Sequence, residues 1–278
     1  MKHIFLNLKR FDVPWEMGGV NSLAAPEKWG AAVVEGIQGG LSAYAPEEVD
    51  FTVFFPEAHL LTAKAARTDG SRVTIGCQGI HGEDVAPGKN FGAFTTSCPA
   101  AAASALGCEA VIIGHCEERK KLAGIMAEAG VTDPAAVCRI LNREVQAALA
   151  RGMKVLYCVG ESAEEKPRWQ EVLKTQLELG LDGVDRSQVV IGYEPIWAIG
   201  PGKTPPGREP IQEIAQFIKG ITGGMDIVYG GGLKTDNAEM LASIPEIDGG
   251  LIALTRFAGE IGFYPEEYLE IVKLYMGH

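Results

Sequence analysis

The chain has 278 residues, 46% of them hydrophobic, which is enough for a full core in one large domain spanning 1–278. With 36 acidic against 25 basic residues the formal charge is −11, and this argues against nucleic acid and anionic membrane as partners, since both call for clustered Lys and Arg. The six cysteines form no Cys-x-x-Cys pair, Met1 to Arg10 holds too few consecutive apolar residues for a signal peptide, and no apolar run approaches a membrane span, so a reducing, cytoplasmic setting is expected.

Short β-branched or aromatic runs alternate with helical patterns along the whole chain. Ile4–Leu6 is the first strand candidate, followed by a helix over Glu27–Gln38 with Trp29, Ala32, Val33 and Ile37 on one face. Phe51–Phe55 and His59–Arg67 form the second pair. Val73–Cys77 and Pro99–Leu106 form the third, and Ala110–Ile113 and Pro134–Arg151 the fourth. Lys154–Cys158 and Pro167–Leu179, Val189–Ile191 and Pro210–Ile221, Asp226–Tyr229 and Asn237–Ala242, and Leu251–Leu254 and Pro265–Tyr275 complete the pattern. The strands are continuous apolar runs, as parallel strands covered on both faces should be. Eight strand–helix units of this size predict an α/β fold, a single-domain (β/α)₈ TIM barrel. An open doubly wound sheet would carry a Gly-rich turn after its first strand, whereas Asn7, Leu8 and Lys9 stand there. Phe11–Pro26 and Gly79–Thr96 are the longest irregular stretches.

Chemistry in such a barrel gathers at the C-terminal ends of the strands. The candidates there are Asn7 and Lys9, His115 and Glu117, Glu161, Glu194, Gly230 to Gly232, and Thr255 with Arg256. Each is weak alone: a lysine is usually solvated, a histidine usually structural, and a glycine run can be only a tight turn, although its amides could also cradle a phosphate. Gly192–Lys203 is more informative. Pro195 holds Glu194 extended at a strand end, and Trp197, Ala198 and Ile199 form an apolar loop bounded by Pro195, Gly200, Pro201 and Gly202. That pattern suits a lid, and a carboxylate at its desolvated root suits a general base. The five histidines show no metal-ligand spacing, so neither metal nor organic cofactor is expected.

The Gly192–Lys203 run resembles the base-and-lid segment of the triosephosphate isomerase family. Gly114-His115-Cys116-Glu117 resembles the family's Gly-His-Ser-Glu, Asn7-Leu8-Lys9 its Asn-Trp-Lys, Tyr229-Gly230-Gly231 the start of its phosphate-gripping turn, and Cys158-Val159-Gly160-Glu161 its strand-five end. The resemblance covers nearly the whole chain. It implies a 1,2-proton shift in a small phosphorylated sugar, with Glu194 as base, His115 and Lys9 polarising the carbonyl, Asn7 assisting and Glu117 orienting its neighbours. Substrate contacts are implied at Asn7, Lys9, Gly200, Gly231, Gly232, Leu254, Thr255 and Arg256, and the family's homodimer is implied too. The departures fall mainly on the phosphate side: Ala253-Leu254 at the family's Gly-Gly pair, Gly232 for its hydroxyl residue, Cys116 for its serine, and a loop near Thr95 without its Gly-Glu. Three readings follow: the triose phosphate isomerase itself, an isomerase of another small ketose phosphate, or a non-catalytic sugar-phosphate-binding barrel.

Overall fold

A computed structural model describes residues 1–200 and 203–277; Pro201 and Gly202 of the expected lid, and His278, lie outside the described residues. Eight parallel strands close on themselves in sequence order: β1 (Lys2–Asn7), β2 (Val49–Phe55), β3 (Val73–Cys77), β4 (Ala110–Ile113), β5 (Lys154–Val159), β6 (Val189–Tyr193), β7 (Ile227–Tyr229) and β8 (Gly249–Ile252). Closure runs through His3↔Gly249 to Leu6↔Ile252. The helices are α1 (Pro26–Leu41), α2 (Leu60–Ala66), α3 (Ala100–Leu106), α4 (Cys116–Glu128), α5 (Pro134–Ala150), α6 (Trp169–Gly180), α7 (Arg208–Thr222), α8 (Ala238–Ala242) and α9 (Pro265–Met276).

Two buried layers explain the unbroken apolar strands. Phe5, Phe54, Ala110, Ile112, Leu156, Cys158, Val190, Val228 and Leu251 pack together in the barrel lumen. Their strand neighbours, such as Ile4 and Leu6 or Val53 and Phe55, point outward against the helices. Size alternates inside the lumen. A Cβ on Gly76 would stand 2.6 Å from Phe54 Cδ1, so the missing side chain makes room for that ring. At the opposite mouth, His3 lies 3.2 Å from Asp50 Oδ2 and 2.9 Å from Asp226 Oδ2, and Lys154 Nζ donates to Asp50 Oδ2 at 2.7 Å.

The helices form for readable reasons. α1 buries Trp29, Val33, Val34, Ile37 and Leu41 as one stripe behind Pro26 at its first turn. In α5 the Asp133 side chain accepts from the Ala136 amide at 3.0 Å, and Gly223 ends α7 at a φ of +76°. Two elements depart from expectation. β8 starts and ends two residues before the expected Leu251–Leu254, because glycines are poor strand formers in isolation; yet Gly249 is required where the backbones of β8 and β1 meet, its absent Cβ falling on the His3 carbonyl. α4 stands outside the expected strand–helix pairs, since Leu122 and Met126, its only residues packed on the core among those described, are too few to make a readable apolar stripe. The 8–25 segment adds a one-turn helix, Trp15–Met17, and a Pro14↔Asn21 bridge, while 78–99 runs without helix or named strand.

Candidate active site

Strand ends at one mouth of the barrel bring the proton-handling residues together. Asn7 ends β1 buried, and its Oδ1 accepts from the Lys9 amide at 3.0 Å. Lys9 itself takes a φ of +41°, a left-handed conformation that a lysine adopts at a cost of roughly 1–3 kcal/mol. Gln78 holds this turn: its Nε2 donates to the carbonyls of Lys9 at 2.9 Å and Phe54 at 3.2 Å. Lys9 Nζ then reaches Glu117 Oε1 at 2.8 Å.

Gly114, at a φ of +78°, turns the chain from β4 into α4 and makes His115 the residue capping that helix. His115 Nδ1 accepts from the Glu117 amide at 3.3 Å, so the proton of a neutral ring sits on Nε2. Nε2 lies 3.1 Å from Glu194 Oε1, and the Cys116 amide donates to Glu194 Oε2 at 2.9 Å. Arg119 braces the same corner from below. Its guanidinium donates to the carbonyls of Gly114 and Cys158, each at 2.8 Å, and to Tyr157 Oη at 3.1 Å.

Glu194 follows β6 and is 1% exposed. Glycines flank it on both sides: a Cβ on Gly230 would stand 2.8 Å from Glu194 Cγ, and one on Gly160 would collide with the Glu194 carbonyl. Burial pushes the Glu194 carboxyl up to about 7, while the Cys116 amide and the Lys9 charge pull it back. Burial, reinforced by the Lys9 ammonium, pushes His115 down to about 4. At neutral pH the His115–Glu194 contact is therefore a neutral imidazole donating to a carboxyl group rather than an ion pair. Burial also raises the Glu117 carboxyl, but the Lys9 hydrogen bond and charge outweigh it and hold the group below its ordinary value. Burial and the nearby Glu194 push the Cys116 thiol up to about 12.

The lid segment leaves Glu194 through Pro195 and the turn Ile196–Ala198, and Gly200 is exposed at a φ of +117°. Its root is tied down. Trp197 Nε1 donates to the buried Glu161 at 2.7 Å, Tyr193 Oη donates to the same oxygen at 3.0 Å, and Lys166 Nζ stands 3.5 Å from the centre of the Trp197 ring.

The phosphate-side candidates divide. Gly231 packs against the Tyr229 ring, and Gly232, at +99°, presents its carbonyl to Asn237 Nδ2 at 2.9 Å. Lys234 lies back over this turn, with its Cε 3.5 Å from the place of a Gly232 Cβ and its Nζ 4.1 Å from the centre of the Phe257 ring in the segment after β8. Leu254 is half-buried. Thr255 Oγ1 accepts from the Tyr264 amide at 2.9 Å. Arg256 Nε donates to Glu267 Oε1 of α9 at 2.7 Å, and its guanidinium stacks 3.6 Å from the Tyr264 ring centre, so its hydrogen bonding is directed to α9. The sequence reading missed Gln78, Arg119 and Lys234. Gln78 follows the end of β3 and was open to the strand-end rule; Arg119 lies within α4, past the strand-end candidates His115 and Glu117, and Lys234 just past the glycine run.

A buried carboxyl group titrating near neutrality, touching a neutral imidazole N–H and with an ammonium close by, can remove a proton next to a carbonyl while donors face the oxygen. The residue profile of the triosephosphate isomerase family matches residues 28–273. The triosephosphate isomerase of Prosthecochloris aestuarii is 32% identical over 271 residues, covering 93% of this chain and 94% of that one. That of Chlorobium phaeovibrioides is 38% identical over 216 residues, covering 73% and 76%. A crystal structure of triosephosphate isomerase from Bartonella henselae superimposes with a TM-score of 0.72 over 99% of both chains at 24% identity, a likeness of fold.

Proposed function

The chain belongs to the triosephosphate isomerase family, and we propose that it interconverts dihydroxyacetone phosphate and D-glyceraldehyde 3-phosphate through an enediolate. The observation that carries this reading is the Glu194–His115 contact at 3.1 Å inside a closed (β/α)₈ barrel, with Lys9 at the same mouth. Glu194 takes the proton from the carbon next to the carbonyl and returns it to the neighbouring carbon. His115 Nε2–H and the Lys9 ammonium stabilise the oxygen as it gains charge, with Asn7 holding the Lys9 turn and Glu117 orienting its neighbours. Such a carbon acid is very weak, so base and oxygen donors have to act together in a site kept from water. The segment from Pro195 through Gly200 serves as the lid that excludes it.

The phosphate is held by backbone amides at Gly200, Gly231 and Gly232 and at Leu254 and Thr255. Lys234 stands where the family's hydroxyl residue and second glycine pair are lost, and it supplies charge on that side in place of Arg256. A cytoplasmic setting belongs to this proposal; no helix among the described residues is long and apolar enough to cross a membrane. The chain acts as a homodimer whose contact includes the 78–99 segment, where Phe91 is 85% exposed.

Glu194→Gln tests the assignment. Turnover of D-glyceraldehyde 3-phosphate should fall on the order of 10²–10⁴-fold, and exchange of the substrate's C–H proton with solvent should fall with it. Undiminished exchange would remove Glu194 from its role, and a wild-type enzyme that turned over only tetrose or pentose phosphates would replace the substrate.

A further inference from the structure

The residue beside the electrophilic histidine is a cysteine here, and this changes what the site can bind. His115, Cys116 and Glu194 offer one nitrogen, one sulfur and one oxygen whose ligand atoms all lie within 4.8 Å of one another. Two edges of that triangle are Nε2 to Oε1 at 3.1 Å and Cys116 Sγ to Nε2 at 4.0 Å. Nitrogen, oxygen and sulfur ligands on a tetrahedral zinc ion, at ~2.0–2.3 Å, lie roughly 3.3–3.6 Å apart. Those two edges thus stand within about half an ångström of a zinc-binding edge length, the remaining edge lies within 4.8 Å, and Sγ stands 3.9 Å from Nδ1 as well. With serine in place of Cys116 the same corner would offer a neutral hydroxyl, a poor ligand for a borderline-soft ion.

We infer that His115, Cys116 and Glu194 form a three-ligand site for Zn²⁺ or a cation of similar softness, and that its occupation shuts down the isomerase by taking the base and the electrophile at once. The inference rests on the proposed isomerase reading for its second half only. Binding forms a metal–sulfur bond and breaks the Cys116 S–H bond, the proton leaving to water. Ligation through Nε2 also needs the other histidine tautomer. That exchanges the 3.3 Å bond Nδ1 accepts from the Glu117 amide for an Nδ1–H facing Glu117 Oε2, now 3.7 Å away. The result is a carboxylate–histidine–metal arrangement in which Glu117 orients the ligand from outside. The two carboxylates and the thiolate together outweigh the Lys9 ammonium and the Arg119 guanidinium below the corner. Three protein ligands leave a fourth position for water, whereas Mg²⁺ and Ca²⁺ want more oxygens than the corner presents.

The experiment is a Co²⁺ titration of the full chain followed by its spectrum, with Zn²⁺ displacement and isomerase assays in parallel. The wild type should take up one equivalent with a thiolate-to-cobalt charge-transfer band, Zn²⁺ should erase that band, and turnover should fall in proportion to occupancy, recovering with a chelator. Cys116→Ser should lose the band, and Glu117→Gln should weaken metal binding by ~10–100-fold. Absence of the band in the wild type, or its persistence in Cys116→Ser, overturns the site; full occupancy with undiminished turnover overturns the shutdown. A wild type that binds cobalt through Cys116 but never isomerises a triose phosphate keeps the site and overturns the proposed function instead.

Discussion

Glu194 and Glu144 are both carboxyl groups kept from water, with different consequences. For Glu194 the raised value of about 7 places the base where it can both accept and return a proton, so kcat/KM should fall along an acid limb centred near pH 7. A pH–rate profile of the wild type checks this, and a limb near the ordinary glutamate range would show Glu194 to be solvated. Glu144, in α5, is pushed up to about 9 by burial and by the neighbouring Glu118. Its Oε2 has no hydrogen-bond partner among the described residues. The folded-state value lies above the unfolded one, so its stabilising proton is fully in place below about pH 4 and is lost as pH rises through about 9. Glu144→Gln should therefore stabilise the fold by ~1–3 kcal/mol near pH 8 and by little near pH 5, measured as a shift in the urea midpoint.

At the scale of the element, the turns after β7 and β8 carry the departures from the family, and Lys234 bridges them. Lys234→Met should raise KM for the triose phosphate about tenfold, the effect of losing ~1.4 kcal/mol, with little change in kcat. Steady-state kinetics decides it, and an unchanged KM would return the phosphate to backbone amides alone. The same elements show how far the sequence could be read. β3 and β4 fall on their expected residues, Val73–Cys77 and Ala110–Ile113, because a strand covered on both faces needs an unbroken apolar run. β8 slid by two because Gly249 owes its place to a close approach of the His3 backbone, and Gly250 to the Leu233 side chain packed against it, which a propensity cannot express. The proton-handling residues sit at the expected strand ends, since the barrel forces those ends together. Gln78 stands at a strand end, where the rule could have found it, but the bonds that Gln78 and Arg119 make to carbonyl groups of distant segments are recorded by no local pattern.

For the whole molecule, the closed sheet leaves no strand edge free, so self-association cannot run through edge-to-edge strand pairing. The 78–99 stretch exposes Phe91 almost wholly. Phe91→Asp should convert the proposed dimer to a monomer in sedimentation velocity, while a variant sedimenting as the wild type would move the contact elsewhere.

α4 has no fully buried residue, although Leu122 and Met126 pack against the core, and its first turn meets the catalytic corner through the His115 cap, the Cys116 amide, Glu117 and Arg119. Beyond it, residues 127–132 are exposed before Pro134 opens α5. Backbone cleavage there by a glutamyl endopeptidase, after Glu128, should leave two fragments that stay associated and keep turning over, because the barrel strands on either side remain paired. The surface of this enzyme thus carries a natural place for new chain ends, from which a permuted or split version could be assembled.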